Sequence, residues 1–254
     1  MRLKNGRAIS KMRVAGKLVA ECFALLEENI KPGISLYELD QLTEKYITDR
    51  GATPLYKGYE GSDDGHPPFP GTICASINNE ICHGLPDNRI LKDGDIIGID
   101  IGLRYNGYCG DACVTFPVGN ISKEAERMMD IGKEALRVGI EAAQRGGYLN
   151  DVGRAIQAYT DTQGVTVVEE WGGHGIGRNL HENPSVSHIR QDKRGPKLRP
   201  GMVFTIEPMI NAGGEKWHLL DDGWTVITQD GSLSVQFEHT IAITKAGTEI
   251  LTKL

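Results

Sequence analysis

The sequence predicts an α+β fold of two similar halves, with helices packed on one side of a mostly antiparallel sheet. Three observations lead there: the chain repeats itself, each half opens on two amphipathic helices, and each half then passes into segments rich in Ile, Val and Thr. Leu91-Lys92-Asp93-Gly94-Asp95-Ile96-Ile97-Gly98-Ile99-Asp100 returns 107 residues later as Leu198-Arg199-Pro200-Gly201-Met202-Val203-Phe204-Thr205-Ile206-Glu207. Both copies read Leu, base, any residue, Gly, any residue, Ile or Val, two more, Ile, acid. Upstream, Gly33, Leu36, Leu39, Tyr46 and Gly51 return at an offset of 113 as Gly146, Leu149, Val152, Tyr159 and Gly164. A length of 254 residues allows one domain or two. The repeat predicts a single domain over 1–254, with halves at about 10–118 and 122–245.

Taken in order, Met12 to Ile30 places Leu18, Cys22, Leu25 and Leu26 on one stripe of helical period. Ser35 and Glu38 have the spacing of a capping box, ahead of Leu36, Leu39, Leu42 and Tyr46, and Gly51 supplies a stop. Ile96 to Gly102 alternates: Ile97, Ile99 and Ile101 face one way, and Gly98, Asp100 and Gly102 the other. A second β-rich run begins near Gly110-Asp111 and reaches Phe116. Ala125 to Ala143 and Val152 to Tyr159 repeat the helix pair, and Val203 to Glu207 and Val235 to Ile241 repeat the strands.

Composition excludes several classes. With 28 Lys and Arg against 34 Asp and Glu, the net charge of −6 does not suit a chain that coats nucleic acid. No window approaches the roughly 18 apolar residues of a spanning helix, and Arg13, Lys17 and Glu21 interrupt any signal-peptide core. Five cysteines with no CxxC pair read as reduced thiols rather than a zinc ribbon, so a cytoplasmic location is expected. The 32 glycines are nearly double the usual share of about 7% and fall in no repetitive tract, which points to turns and crowded sites.

The informative anomaly is acid on apolar strands, because an unpaired buried carboxylate is costly. Asp100 and Asp111 in the first half, and Glu207 and Glu238 in the second, set two acids at matching stations of the repeat. Four converging carboxylates repel unless cations or protons neutralise them. His174, inside Gly172-Gly173-His174-Gly175-Ile176-Gly177, adds an imidazole on a backbone free to bend. Such a set holds two divalent cations if Asp111 and Glu238 bridge them, and the pair would activate water against a carbonyl or phosphoryl centre. Competing motifs fail: His181-Glu182 lacks the second His of HExxH, and no dinucleotide or phosphate loop is present.

These residues, with Cys82-His83-Gly84-Leu85-Pro86, Leu180-His181-Glu182-Asn183-Pro184 and Phe237-Glu238-His239-Thr240, give the chain a resemblance to the type I methionine aminopeptidases from about Ser10 to Ile250. The resemblance implies the pita-bread fold, in which two pseudo-symmetric halves enclose a dinuclear metal centre. It implies that Asp100 holds one metal, that His174 and Glu207 hold the other, and that Asp111 and Glu238 bridge. It further implies removal of an N-terminal methionine by attack of a metal-activated hydroxide on the scissile carbonyl. The free α-amine would then lie near the Asp100 metal. His181 would polarise the carbonyl, His83 would lie near the scissile nitrogen, and Glu207 would also serve as general base. Co, Mn, Fe, Ni and Zn all suit the donor set.

Family positions lining the methionine pocket are met by Cys74 and Trp224, with Leu180 where an aromatic is usual and Phe69 in place of one tyrosine. Tyr56 or Tyr59 supplies the other tyrosine, and Glu60 to Pro68 reads as an insertion. His66, His188 and His218 are expected on the surface, and His239 in a structural hydrogen bond. Cys109 and Cys113 share a strand face with Asp111 and are expected to act as small buried hydrophobes. Two basic segments read as solvated charge, with ribosomal RNA as the alternative partner: Arg2, Lys4, Arg7, Lys11, Arg13 and Lys17, then Arg190, Lys193, Arg194, Lys197 and Arg199. A short bacterial-type monomer, acting on peptides and nascent chains and binding neither membrane nor DNA, is expected. The competing readings are a same-fold X-Pro aminopeptidase or prolidase, and a non-catalytic pita-bread binding module.

Overall fold

The computed structural model describes residues 2–61 and 67–254. Among them are four helices: α1 (Gly6–Asn29), α2 (Leu36–Asp49), α3 (Lys123–Ala142) and α4 (Asp151–Gln163). The first half has strands β1 (Thr53–Pro54), β2 (Cys74–Ile77), β3 (Glu80–Cys82), β4 (Ile96–Tyr105) and β5 (Tyr108–Pro117). The second has β6 (Thr166–Val167), β7 (Gly173–Gly175), β8 (Glu182–Val186), β9 (Val203–Ile206), β10 (Met209–Asn211), β11 (Trp217–Leu219), β12 (Val226–Thr228), β13 (Ser234–Gln236), β14 (His239–Ile243) and β15 (Thr248–Ile250). Their pairings are antiparallel throughout, as α+β architecture requires. No described helix is long and apolar enough to cross a membrane.

The helices follow their caps. α1 begins ahead of the predicted Met12 because Asn5 Oδ1 accepts the Ala8 N–H at 2.9 Å. The capping box of α2 forms in both directions: Ser35 Oγ accepts the Glu38 N–H, and Glu38 accepts the Ser35 N–H. Ser122 caps α3, and α4 runs to Gly164, whose φ of +65° ends it.

The repeat is visible in hydrogen bonds. Gly33 and Leu36 donate to the Leu91 and Arg89 carbonyls; Gly146 and Leu149 donate to those of Leu198 and Pro196. Gly94 and Gly201, which open the paired segments, share a φ of +97°, a left-handed turn that a side chain would strain.

The strands differ from prediction at two points, the first being that Val235 to Ile241 is not one run but breaks at Phe237-Glu238 between β13 and β14. The second is the hairpin: β4 runs past Gly102 to Tyr105, and β5 begins at Tyr108, before Gly110-Asp111. Both run on to meet at Asn106-Gly107, whose φ values of +50° and +78° make a tight hairpin turn of the mirror-image kind that Asn-Gly favours. The two acids therefore lie inside a long hairpin. Its apolar face, with Ile97, Ile99 and Ile101 fully buried, packs against α1 and α2. A second core gathers α3 and α4 against Phe204, Ile206, Ile210, Val235 and Ile241.

Close backbone contact seats α1. A Cβ on Gly110 of β5 would lie 2.8 Å from the Ala15 carbonyl carbon, whereas one on Gly6 would meet nothing within 4 Å. Gly110→Val should therefore force α1 off the hairpin and cost about 2–3 kcal/mol in urea unfolding, while Gly6→Ala should change stability by less than about 1 kcal/mol.

Candidate metal centre

The polar face of the hairpin opposes the apolar one. In the β4–β5 register Asp100 pairs with Cys113 and Gly102 with Asp111, so both acids stand on the face away from α1, diagonal to one another. Glu207 follows the last residue of β9, and Glu238 precedes the first of β14. His239 pairs with Ile206, so these acids flank the end of their own ladder. β7 brings His174 alongside β9 through the pair Gly175–Phe204. The second half is then fastened to β5: the Glu238 N–H donates to the Cys113 carbonyl at 2.8 Å, and the Thr240 hydroxyl to the Asp111 carbonyl at 2.7 Å. All five residues thereby reach one cavity.

There, donor atoms of Asp111, His174 and Glu238 lie within 4.8 Å of one another. His174 Nε2 is 3.4 Å from Asp111 Oδ2 and 3.7 Å from Glu207 Oε1. The His174 Nδ1 lies 3.1 Å from the Gly175 carbonyl, which can only accept. Nδ1 therefore carries a proton, and Nε2 is the nitrogen that faces the acids, protonated beside Asp111 while the imidazole is charged and available as a ligand once that proton leaves. Tyr56 Oη stands 2.5 Å from Asp100 Oδ1 and 2.7 Å from Asp111 Oδ1. Thr205 Oγ1 donates to Glu207 Oε1 at 2.6 Å and accepts the His174 N–H at 2.9 Å. Glu238 Oε1 is buried and has no hydrogen-bond partner.

The electrostatics are those of a cluster short of positive charge. Burial, and then repulsion from Asp111, push the Asp100 carboxyl well above its usual range against the hydrogen bond from Tyr56. Burial and the three other acids do the same to Glu238. Burial pushes Glu207 up to about 7 against the opposing charge of His174. Burial alone would lower His174; the hydrogen bond to Asp111 and the charges of Glu207 and Asp111 outweigh it and raise the imidazole to about 9. Oxygen-rich donors, one aimed imidazole nitrogen and an orphaned carboxylate oxygen fit divalent cations.

The cavity, about 570 Å³, is also lined by Tyr56, Tyr59, Phe69, Cys74, His83, His181 and Trp224. His83 sits at a left-handed bend, φ +57°, and burial followed by His181 holds its imidazole down to about 4. Phe69 stands edge-on to Trp224, centroids 5.3 Å apart, and to Tyr56 at 6.4 Å. Leu180 is a correction: it is buried with Ile9, Met12 and Val203 behind Tyr56, not on the cavity wall.

His188 is a second correction. It is 2% exposed rather than superficial, and its Nε2 accepts the Glu207 N–H at 3.1 Å. His218 is exposed, His66 lies outside the described residues, and His239 bonds Thr252 Oγ1 at 2.9 Å. Cys109 and Cys113 are buried free thiols, with burial pushing Cys109 up to about 11. Several bases of the two basic segments are spent in ion pairs: Lys4 with Glu182 at 2.6 Å, Arg13 with Glu249 at 2.7 Å and Arg194 with Asp151 at 2.8 Å. Lys4, its side chain only 6% exposed, thereby ties the N-terminal arm to the loop that carries His181.

The profile of metallopeptidase family M24 matches residues 10–245. The chain is 47% identical to methionine aminopeptidase 1 of Bacillus subtilis over 251 residues, covering 99% of this chain and 98% of that one. The crystal structure of methionine aminopeptidase from Rickettsia prowazekii superposes with a TM-score of 0.94 at 40% identity, covering 99% of both chains. Prolidase from Pyrococcus furiosus superposes at 0.79 with 23% identity over 99% of this chain but 65% of its own, a likeness of fold alone.

The raised groups set the pH response. Glu207, ordinarily 4.5 and here about 7, and His174, ordinarily 6.5 and here about 9, both bind more protons folded than unfolded. Their contribution is present at low pH and lost as pH rises through the folded values. The chelator-treated protein should therefore melt at progressively lower temperature between about pH 5 and 9. Added Mn(II) should oppose that fall, with the larger gain in melting temperature at the higher pH, because cations displace those protons.

Proposed function

The chain belongs to metallopeptidase family M24, and from that we propose that it is a methionine aminopeptidase, a hydrolase that removes the N-terminal methionine of peptides and nascent proteins. The observation that carries the reading is the convergence of Asp100, Asp111, His174, Glu207 and Glu238 in one cavity that Tyr56, Tyr59, Phe69, Cys74 and Trp224 also line. Asp111 and Glu238, the two most buried acids, would bridge a pair of divalent cations, with Asp100 completing one site and His174 and Glu207 the other. Bound there, the cations supply Lewis acidity, which lowers the pKa of water and offsets charge on a carbonyl oxygen. Cobalt, manganese, iron, nickel and zinc all suit these donors.

The remaining steps belong to the protein. Phe69, Cys74 and Trp224 form an apolar niche for a thioether side chain, with the Tyr56 and Tyr59 rings beside it. Acid density near Asp100 suits the free α-ammonium of a chain terminus. His181 donates to the scissile carbonyl oxygen, and His83, kept neutral by burial, stands to receive the scissile nitrogen. Glu207, held by Thr205, takes the proton from the attacking water and returns it to the leaving amine. Residues 1–254 act in this reading as one catalytic domain, since each half contributes two of the four acids, and as a cytoplasmic monomer.

Hydrolysis of Met-Ala-Ser after chelation and graded Mn(II) or Co(II) addition tests the reading. Activity should be absent after chelation and return with metal, Ala-Pro peptides should stay intact, and Asp111→Asn should lower kcat/KM at least about 100-fold. Full activity without metal, or turnover of Ala-Pro peptides instead, would sink it.

A further inference from the structure

The hydroxyl of Tyr59 stands where it can set which nitrogen of His181 carries the proton. Tyr59 Oη lies 3.1 Å from His181 Nδ1, and the two rings meet edge to face with centroids 5.6 Å apart. Backbone bonds hold Tyr59 from one side: its N–H donates to the Tyr56 carbonyl, its own carbonyl accepts the Phe69 N–H, and Gly58 donates to the Phe69 carbonyl. The second half holds it from the other. The Trp224 ring lies 6.4 Å from that of Tyr59, and the indole N–H donates to the Pro67 carbonyl at 2.9 Å.

A neutral imidazole carries one N–H, on either nitrogen. The phenol oxygen is a far weaker base than an imidazole nitrogen, so between this pair the hydroxyl donates and Nδ1 accepts. The ring proton is then left to Nε2, the one nitrogen free for the cavity. We propose that Tyr59 is a positioning residue that holds His181 as its Nε2–H tautomer, presenting a donor instead of a lone pair to the scissile carbonyl oxygen. This rests on the role given to His181 above. In the opposite tautomer a lone pair would meet the carbonyl oxygen, and the bond that polarises it could not form. Tyr59 is thus assigned to orienting the catalytic histidine as well as to lining the pocket.

Tyr59→Phe keeps the ring and its edge contacts and removes only the hydroxyl. The tautomer of His181 can be read by long-range proton–nitrogen NMR of the metal-free protein above neutral pH, with His181→Ala identifying the resonance. Wild type should show Nε2–H, and Tyr59→Phe a growing share of Nδ1–H. On Met-Ala-Ser with metal added, the kcat of Tyr59→Phe should fall about tenfold and KM change less than about twofold. An Nδ1–H wild type, an unchanged tautomer in Tyr59→Phe, or an unchanged kcat beside a shifted tautomer would each overturn the proposal. So would full activity in Tyr59→Phe with loss only in Tyr59→Leu, which would make the ring a packing group alone. A wild type inert on Met-Ala-Ser overturns the functional reading instead, and the tautomer still decides the contact.

Discussion

Mutual repulsion among four acids on neighbouring strands is the constraint around which this molecule is arranged. Left alone, Asp100, Asp111, Glu207 and Glu238 would drive β4, β5, β9 and β14 apart or draw in water. Three of them are held: Tyr56 on Asp100 and Asp111, Thr205 on Glu207, and His174 between Asp111 and Glu207, while Glu238 Oε1 is left without a hydrogen-bond partner. The strands are held by cores behind them. Ile97, Ile99 and Ile101 sit fully buried against α1 and α2, and Phe204 and Ile206 against the second helix pair. The apolar faces thus supply the stability that the polar faces consume, and a cation in the cluster relieves what the hydrogen bonds leave over.

The same constraint explains how the halves are joined. The junction runs beside the acids themselves, through the Cys113 and Asp111 carbonyls, Glu238 N–H and the Thr240 hydroxyl, with Thr115 and Gln236 continuing the seam. Separating the halves would therefore expose the acids and break the bonds that orient them in one step. The mouth of the cavity is shared in the same way, since Tyr59 and Phe69 come from the first half and His181 and Trp224 from the second. The acid cluster and the aromatic lining of the cavity are in this sense one feature of the interface between repeats.

Much of this was legible in the sequence, and the parts that were not share a cause. The capping box at Ser35, the helix pairs, the alternating isoleucines and the five cation-seeking residues are local or periodic signals, and local signals survive reading in one dimension. The Asn106-Gly107 turn is equally local, and it is this turn that carries both strands beyond the predicted runs and sets Asp100 and Asp111 mid-hairpin. His188 sits among Ser187, Arg190 and Gln191, so composition suggests surface; yet Val186 and His188 are buried in period-two alternation, a pattern that places the imidazole inside. Leu180 followed a positional correspondence, and whether it faces the cavity or the core behind Tyr56 depends on tertiary packing alone. Tyr56 showed no sign of reaching Asp100, 44 residues away, because that contact exists only once β1 pairs with β4.

The histidines show how one cluster can hold two kinds of imidazole close together. His174 and His181 have ring centroids 4.4 Å apart, yet His174 is raised to about 9 while His181 is lowered, by loss of solvent and then by the charge of His174. A protonated His174 repels a second proton from His181. A cation bound in the cluster would keep positive charge at the same place and would repel that proton as well. Loss of solvent and positive charge at that place thus keep the His181 imidazole below its usual range. Its single N–H can then be directed by a hydrogen bond to the other nitrogen, an option closed to an imidazolium, whose two nitrogens both donate. The acid cluster and His181 are in this way coupled by charge, with His174 as the link between them.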